Sequence, residues 1–170
     1  GDGTNGDFFY WGWSVLPWEQ RQGSDFCSRW GGGEHYTFGV TELIRLCEAT
    51  RTEAILIVNY GMGILKAYYD LEAAGDKRTK KEIAVQQAAN WVEFMNAAAP
   101  ARKDPAYPDA YRPQYSLQKL PEGYFSWLRA SLGFPKPVGV TYWGIGNELY
   151  IFHGQGKTVS QMLGEKPQEL

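Results

Sequence analysis

Two stretches of this chain are apolar throughout, and the rest alternates helical patterns with glycine-rich or polar segments. Residues 54–58 read Ala-Ile-Leu-Ile-Val. A continuous, β-branched run of strand length offers no polar face to water. It predicts a strand buried on both faces, as in a parallel sheet under helices. The run passes into Asn59-Tyr60-Gly61-Met62-Gly63, whose glycines signal a loop. Val138 to Ile145 is the second such stretch and ends in Gly146-Asn147-Glu148. Elsewhere the period is helical. Val40, Leu43, Ile44 and Cys47 fall at i, i+3, i+4 and i+7 and predict a helix over 40–50. Thr79, followed three residues later by Glu82, forms a capping-box pattern. Ala84, Ala88, Trp91, Met95 and Ala98 then step by fours and threes, predicting a helix over roughly 79–99 that Pro100 stops. A shorter helix near 122–132 uses Phe125, Leu128 and Leu132.

Residues 1–36 are rich in glycine and aromatics and predict turns and short helices. Pro105, Pro108, Pro113 and Pro121 make 101–122 read as a long surface loop, and 149–170 reads as polar loop leading into the start of a helix. The order helix, strand, helix, strand argues for right-handed βαβ crossovers and an α/β fold. It predicts parallel, neighbouring strands near 54–59 and 139–146, with the helix near 79–99 packed across them. No repeat, heptad pattern or domain boundary interrupts the chain, so 1–170 reads as a single partial domain. Two strands do not complete a parallel sheet, and a (β/α)8 barrel needs eight strands and about 250 residues. The pattern therefore fits either a small α/β domain or a barrel segment. The start at Gly1 and the uncapped end at Gln168-Glu169-Leu170 favour the segment.

Composition narrows the function classes. The net charge of −2 argues against nucleic-acid or anionic-membrane partners held by bulk charge. No apolar run approaches the roughly 20 residues of a membrane-spanning helix. Two cysteines exclude a disulfide-dense scaffold and a four-cysteine zinc site. Aromatic residues make up 15% of the chain. They suit either a large aromatic core or stacking against sugar rings, and with the low charge they lean towards a secreted enzyme. Gly1, Gly3 and Gly6 match a dinucleotide-binding spacing without the preceding strand it requires. Gly154-Gln155-Gly156-Lys157 lacks the phosphate-loop spacing, and Asp2, Thr4 and Asp7 lack the closing Glu of a calcium loop. His35 and His153 stand far apart, and Cys47 lies on an apolar helix face. No metal or cofactor is expected.

Glu148 carries the best chemical case. A carboxylate at the end of a buried strand, flanked by Tyr142, Trp143 and Tyr150, is placed for partial desolvation and a raised pKa. That is what a general acid at neutral pH requires. Asn147 beside it offers an amide for a sugar hydroxyl. A Glu that caps the next helix or pairs with an arginine fits the same position.

The stretch Tyr142-Trp143-Gly144-Ile145-Gly146-Asn147-Glu148 resembles the acid/base strand of the retaining (β/α)8 glycoside hydrolases, where Asn-Glu ends the fourth barrel strand. The likeness is nearest to the α-L-arabinofuranosidases of glycoside hydrolase family 51, with Gly144 in place of the first Glu of their Trp-Glu-Ile-Gly-Asn-Glu. Trp11 to Arg21 resembles the family's W-x-x-x-x-G-P-x-x-x-R region, with Leu16-Pro17 for Gly-Pro. Phe38-Gly39-Val40-Thr41-Glu42-Leu43 resembles its F-G-x-x-E-F helix start, and Val58 to Gly63 its third-strand N-x-G-x-G loop. Ala89 to Asn96 resembles A-x-W-V-E-Y-x-N on its third helix, and Leu132 to Pro135 its approach to the acid/base strand. An insertion at 64–80 and the long 101–122 loop depart from the pattern.

The resemblance implies a segment of a (β/α)8 barrel holding strands three and four, and a retaining hydrolase acting on arabinose-containing or related plant polysaccharides. Glu148 is then the general acid/base and Asn147 binds the sugar 2-hydroxyl. Asn59 and Tyr60 line the subsite from the neighbouring strand end, with Trp143 and Tyr150 beside the acid/base. The nucleophilic carboxylate, about 5–5.5 Å away in a retaining enzyme, has no match here. The remainder of the barrel, or another chain, has to supply it, and the 170 residues alone are expected to be inactive. The expected partner is an oligo- or polysaccharide, with no nucleic acid, membrane or cofactor. The rival readings are a non-catalytic carbohydrate-binding or structural barrel relative, and an unrelated α/β domain.

Overall fold

The computed structural model describes residues 9–21, 27–28, 32–33, 36–58 and 65–146. In chain order it contains helix α1 (Trp11–Ser14), a 3-10 turn (Trp18–Gln20), and a small antiparallel pair, β1 (Cys27–Ser28) with β2 (Gly32–Gly33). Helix α2 (Val40–Thr50), strand β3 (Ile55–Val58), helix α3 (Leu65–Ala73) and helix α4 (Lys80–Asn96) follow. A second 3-10 turn (Pro113–Leu117), helix α5 (Tyr124–Ser131) and strand β4 (Tyr142–Ile145) complete it. β3 and β4 pair in parallel, Ile55 opposite Tyr142 and Val58 opposite Ile145, as the order of patterns predicts.

The helix boundaries have local and distant causes. At α2 the Glu42 carboxylate accepts the Gly39 N–H at 2.8 Å, which is half of a capping box because Gly39 has no side chain to reciprocate. α2 closes on Arg51 in the left-handed region (φ 56°), and the Thr52 N–H reaches the Cys47 carbonyl at 3.1 Å. At α4 the box is complete: the Thr79 hydroxyl accepts the Glu82 N–H, and the Glu82 carboxylate accepts the Thr79 N–H at 2.7 Å.

α4 ends at Asn96, short of the predicted 99, and Pro100 is not what stops it. Its last carbonyls are taken by distant donors. Arg129 donates to the Phe94 carbonyl at 2.6 Å and the Ala97 carbonyl at 2.8 Å, and the Val138 N–H donates to Met95 at 2.7 Å. The same bonds shorten β4. The Asn96 side chain holds both the N–H and the carbonyl of Val140, at 2.8 and 2.9 Å, so the strand predicted from 139 pairs with β3 only from Tyr142.

The core lies between α4 and one face of the β3–β4 pair. Ile83, Ala84, Gln87, Asn90, Trp91, Phe94 and Met95 form the buried face of α4. Trp91, Phe94 and Met95 meet Leu56, Val58, Val140, Trp11, Tyr124 and Phe125. Trp11 stacks near-parallel to Trp91 and stands edge-on to Phe125, so much of the aromatic content is core. The expectation that β3 is buried on both faces fails: Ile55 is 73% exposed, and its cross-strand partner Tyr142 is 59% exposed. Two strands supply one helix-covered face. The second layer of side chains, which the other strands of a closed barrel provide, is not made by this pair.

Residues 101–122 are more than a surface loop. Tyr107, Pro113, Ser116 and Leu117 are buried. Tyr10 and Tyr111 hydroxyls donate to the Pro113 and Gly12 carbonyls, and the Asn90 amide donates to Ser116 and Gln118 carbonyls. A Cβ on Gly12 would sit 2.4 Å from the Ser116 hydroxyl oxygen, so the close approach of α1 to this segment requires glycine. α3, absent from the sequence expectations, packs Tyr68 and Leu71 against Tyr10, Tyr36, Ile83, Ala84 and Leu117.

Candidate active site

Parallel pairing brings the C-terminal ends of β3 and β4 side by side, and the Gly146 N–H extends the ladder to the Val58 carbonyl at 2.8 Å. In α/β folds the chemistry sits at such ends. Asn59 and Tyr60 follow β3, and Asn147, Glu148 and Tyr150 follow β4; all of them lie outside the described residues, as do His35, His153 and the glycines at 1–6. Trp143 is described. In register with Leu56 it faces the helices, half-buried, with its indole N–H donated to the Val140 carbonyl at 3.1 Å and its ring edge-on to Trp91. Tyr142 stands with Ile55 on the open face.

Residues in the segments that carry the resemblance brace the helices and loops around the strand pair. Glu93 reaches from α4 to α5, where its carboxylate accepts the Phe125 N–H at 2.9 Å and the Ser126 N–H at 3.4 Å. The residue before α5, Gly123 (φ 83°), has no side chain to cap it, and Glu93 performs that task. Burial pushes the Glu93 carboxyl above the ordinary carboxylate range despite those bonds. Arg21 and Glu42, from two separate motifs, form a two-pronged ion pair at 2.9 and 3.0 Å, and Arg21 also donates to Leu16 and Tyr36 carbonyls. Partial burial of Glu42 works against its charged form, but Arg21 and the Gly39 N–H outweigh it and hold the carboxyl below its usual range.

Arg129 is fully buried, and among the described residues its partners are all carbonyls: Phe94, Ala97, Phe134 and, more weakly, Pro135. Burial pulls its pKa below the usual arginine value. Asn96 and Arg129 together fix the chain that leads into β4. Sequence reading missed this role for Glu93, Asn96 and Arg129. The first two lie in a motif that it did quote, and Arg129 interrupts the apolar face of its helix.

A cleft of about 490 Å³ lies between α2 and the chain entering β4, lined by Cys47, Ala54, Phe134 and Val140 among others. It opens beside Thr52, Glu53, Gly139 and Val140, before the N-terminal ends of the strands. Among the described residues no group of three His, Cys, Asp or Glu side chains could hold a metal. Among the same residues no helix is long and apolar enough to cross a membrane.

Parallel strands joined by a helical crossover, with a helix layer on one face and an open second face, define an α/β unit. The chain belongs to the α-L-arabinofuranosidase 1 domain family, whose model matches residues 2–111. It is similar to α-L-arabinofuranosidase C of Emericella nidulans, 25% identical over 142 residues, covering 84% of this chain and 20% of that protein. The probable α-L-arabinofuranosidase C of Aspergillus niger is 26% identical over the same shares. The chain thus spans about one fifth of the length of the curated relatives it matches. Among solved structures, the α-L-arabinofuranosidase of Thermotoga maritima in its arabinose complex superposes with a TM-score of 0.58 at 23% identity, over 94% of this chain and 24% of that one. The family 51 enzyme of Thermotoga petrophila gives 0.57 at 24% identity, over 95% and 25%. These likenesses show the fold: a segment of a (β/α)8 barrel.

Proposed function

We propose that residues 1–170 are one partial barrel domain of a retaining α-L-arabinofuranosidase, the part that carries the acid/base. The observation that supports this reading most is the in-register parallel pairing of β3 and β4. It makes Asn59 and Asn147-Glu148 direct continuations of two neighbouring strand ends. In this reading Glu148 protonates the glycosidic oxygen as the bond to the sugar breaks, then takes a proton from the water that hydrolyses the glycosyl–enzyme intermediate. Asn147 binds the 2-hydroxyl, and Asn59, Tyr60 and Tyr150 shape the subsite, while Trp143, expected beside the sugar, instead packs against Trp91 behind the strand. The nucleophile comes from polypeptide beyond these residues, and the substrate is an arabinose-bearing oligo- or polysaccharide.

The test compares leaving groups in the protein at its full natural length. Glu148→Gln is expected to lose about 10²–10⁴-fold on substrates with poor leaving groups. Substrates with activated leaving groups depart without an acid, so their loss is much smaller, with a burst as the intermediate accumulates. Azide, which attacks without a base, is expected to restore their turnover. Equal loss on every substrate with no azide effect removes Glu148 from the acid/base role. The purified 170-residue chain alone is expected to show no turnover.

A further inference from the structure

The segment between β3 and α4 is where the chain departs from the family's motif order, and the structure fills it with a helix backed by a clamp. Tyr68 and Leu71 of α3 pack into the smaller hydrophobic cluster. The turn after α3 is fixed by Arg78, which grips the Asp76 carboxylate at 2.6 Å and donates to the Leu117 carbonyl at 2.8 Å. That pairing draws the Asp76 carboxyl down to about 2. Against this backing Tyr69 stands 54% exposed. Its ring meets that of Tyr68 edge-to-face, with centroids 5.5 Å apart. The Lys80 ammonium lies 5.2 Å from both ring centroids and 3.5 Å from the Tyr69 hydroxyl. Tyr68 is held in turn by its bond to Glu72 at 3.3 Å.

The position matters as much as the chemistry. Lys80 is the first residue of α4, and Ile83 and Ala84 of its first turn share the cluster with Tyr68. A helix that crosses back between parallel strands begins at their C-terminal ends. The Tyr69 platform therefore belongs to the rim on which β3 and β4 end.

We propose that Tyr69, supported by Tyr68 and flanked by Lys80, is a stacking subsite for a sugar unit of a neutral polysaccharide chain that extends beyond the β3–β4 strand ends. This deepens the proposed function and rests on it. A sugar ring presents C–H groups on its face and hydroxyls at its edge. Tyr69 offers a flat apolar ring of matching size, and its hydroxyl and the Lys80 ammonium offer hydrogen bonds at that ring's edge. Among the described side chains of α3, Tyr69 is the large apolar one left mostly exposed, which suits a single sugar unit.

The experiment uses the protein at its natural length, with soluble arabinan and arabinoxylan as polymers and an aryl arabinoside as the small substrate. Tyr69→Ala is expected to raise the ratio of polymer KM to aryl-arabinoside KM about three- to tenfold, the worth of one aromatic contact. Tyr69→Phe, which keeps the ring, is expected to recover most of that ratio. An unchanged ratio overturns the subsite. Gel retardation by the same polymers separates this result from failure of the glycosidase reading. If the protein turns over no glycoside but is retarded, and Tyr69→Ala abolishes the retardation, the subsite stands without the activity. If no polymer retards the wild type, the subsite is refuted.

Discussion

The two faces of the β3–β4 pair differ as sharply as any two regions of this molecule. One face carries Leu56 and Trp143 against a closely packed aromatic layer, where the approach to β4 is pinned by long-range hydrogen bonds. The other carries Ile55 and Tyr142 largely in water. The covered face shows that this stretch of chain contains all the groups needed to place the strands. The open face shows that the described residues do not bury them, although Ile55 would gain about 1.5–3 kcal/mol from full burial.

The largest expected effect tests the pinned side. Arg129→Met removes the donors for the Phe94, Ala97 and Phe134 carbonyls and leaves them buried without partners. A loss of about 3–5 kcal/mol in urea unfolding is expected. A loss below about 1 kcal/mol would mean that water replaces the guanidinium and that the chain into β4 is held by Asn96 alone.

The second compares the faces directly. Leu56→Ala is expected to cost about 2–3 kcal/mol, at the low end for leucine because the thin sheet can settle into the gap. Ile55→Ala is expected to stay within about 0.5 kcal/mol in the 170-residue chain. At the natural length, where further strands cover this face in the barrel reading, the Ile55 cost is expected to rise to that of Leu56. Equal small costs in both proteins would break the comparison.

The smallest effect concerns pH. Glu42 has a folded-state pKa below its unfolded value, so its contribution is present above about 4.5 and lost as pH falls through the depressed value. Glu93 is shifted upward, so the folded state binds its proton more tightly than the unfolded chain does. Its ionisation therefore costs stability as pH rises from about 4.5 through the raised value. Acid titration of unfolding is expected to show a shallower loss in Glu42→Gln than in the wild type, and a steeper one in Glu93→Gln. Identical slopes would remove both assignments.

Much of the fold was legible because its signals were local. The i, i+3, i+4 spacing of Val40, Leu43 and Ile44, the Thr79–Glu82 box and the run at 54–58 each lie within one turn or one strand. The early stop of α4 and the late start of β4 were not legible, since Asn96 and Val140 are 44 residues apart and no short window contains both. α3 was hidden by a single i, i+3 pair, Tyr68 and Leu71, too short a pattern to stand out. For the site, chain order puts Glu148 three residues past the end of β4, and Glu148 itself lies outside the described residues. That the segments after β3 and β4 start side by side depended on the parallel register, which sequence order suggested and the structure bears out for the strands themselves.

The register of β3 with β4 also has a consequence in time. Ile55 finds Tyr142 only after α3, α4, the 101–122 segment and α5 have been made. Ribosomes add about 5–20 residues per second, so β3 is without this partner for several seconds after it emerges. Contacts spanning so much chain also form slowly during refolding. α4 and α5 join across a much shorter separation, through Arg129 and Phe94, 35 residues apart. The helices can thus dock while the Ile55–Val58 backbone still lacks its β4 partner, leaving that side of the strand open, the kind of surface that chaperones shield.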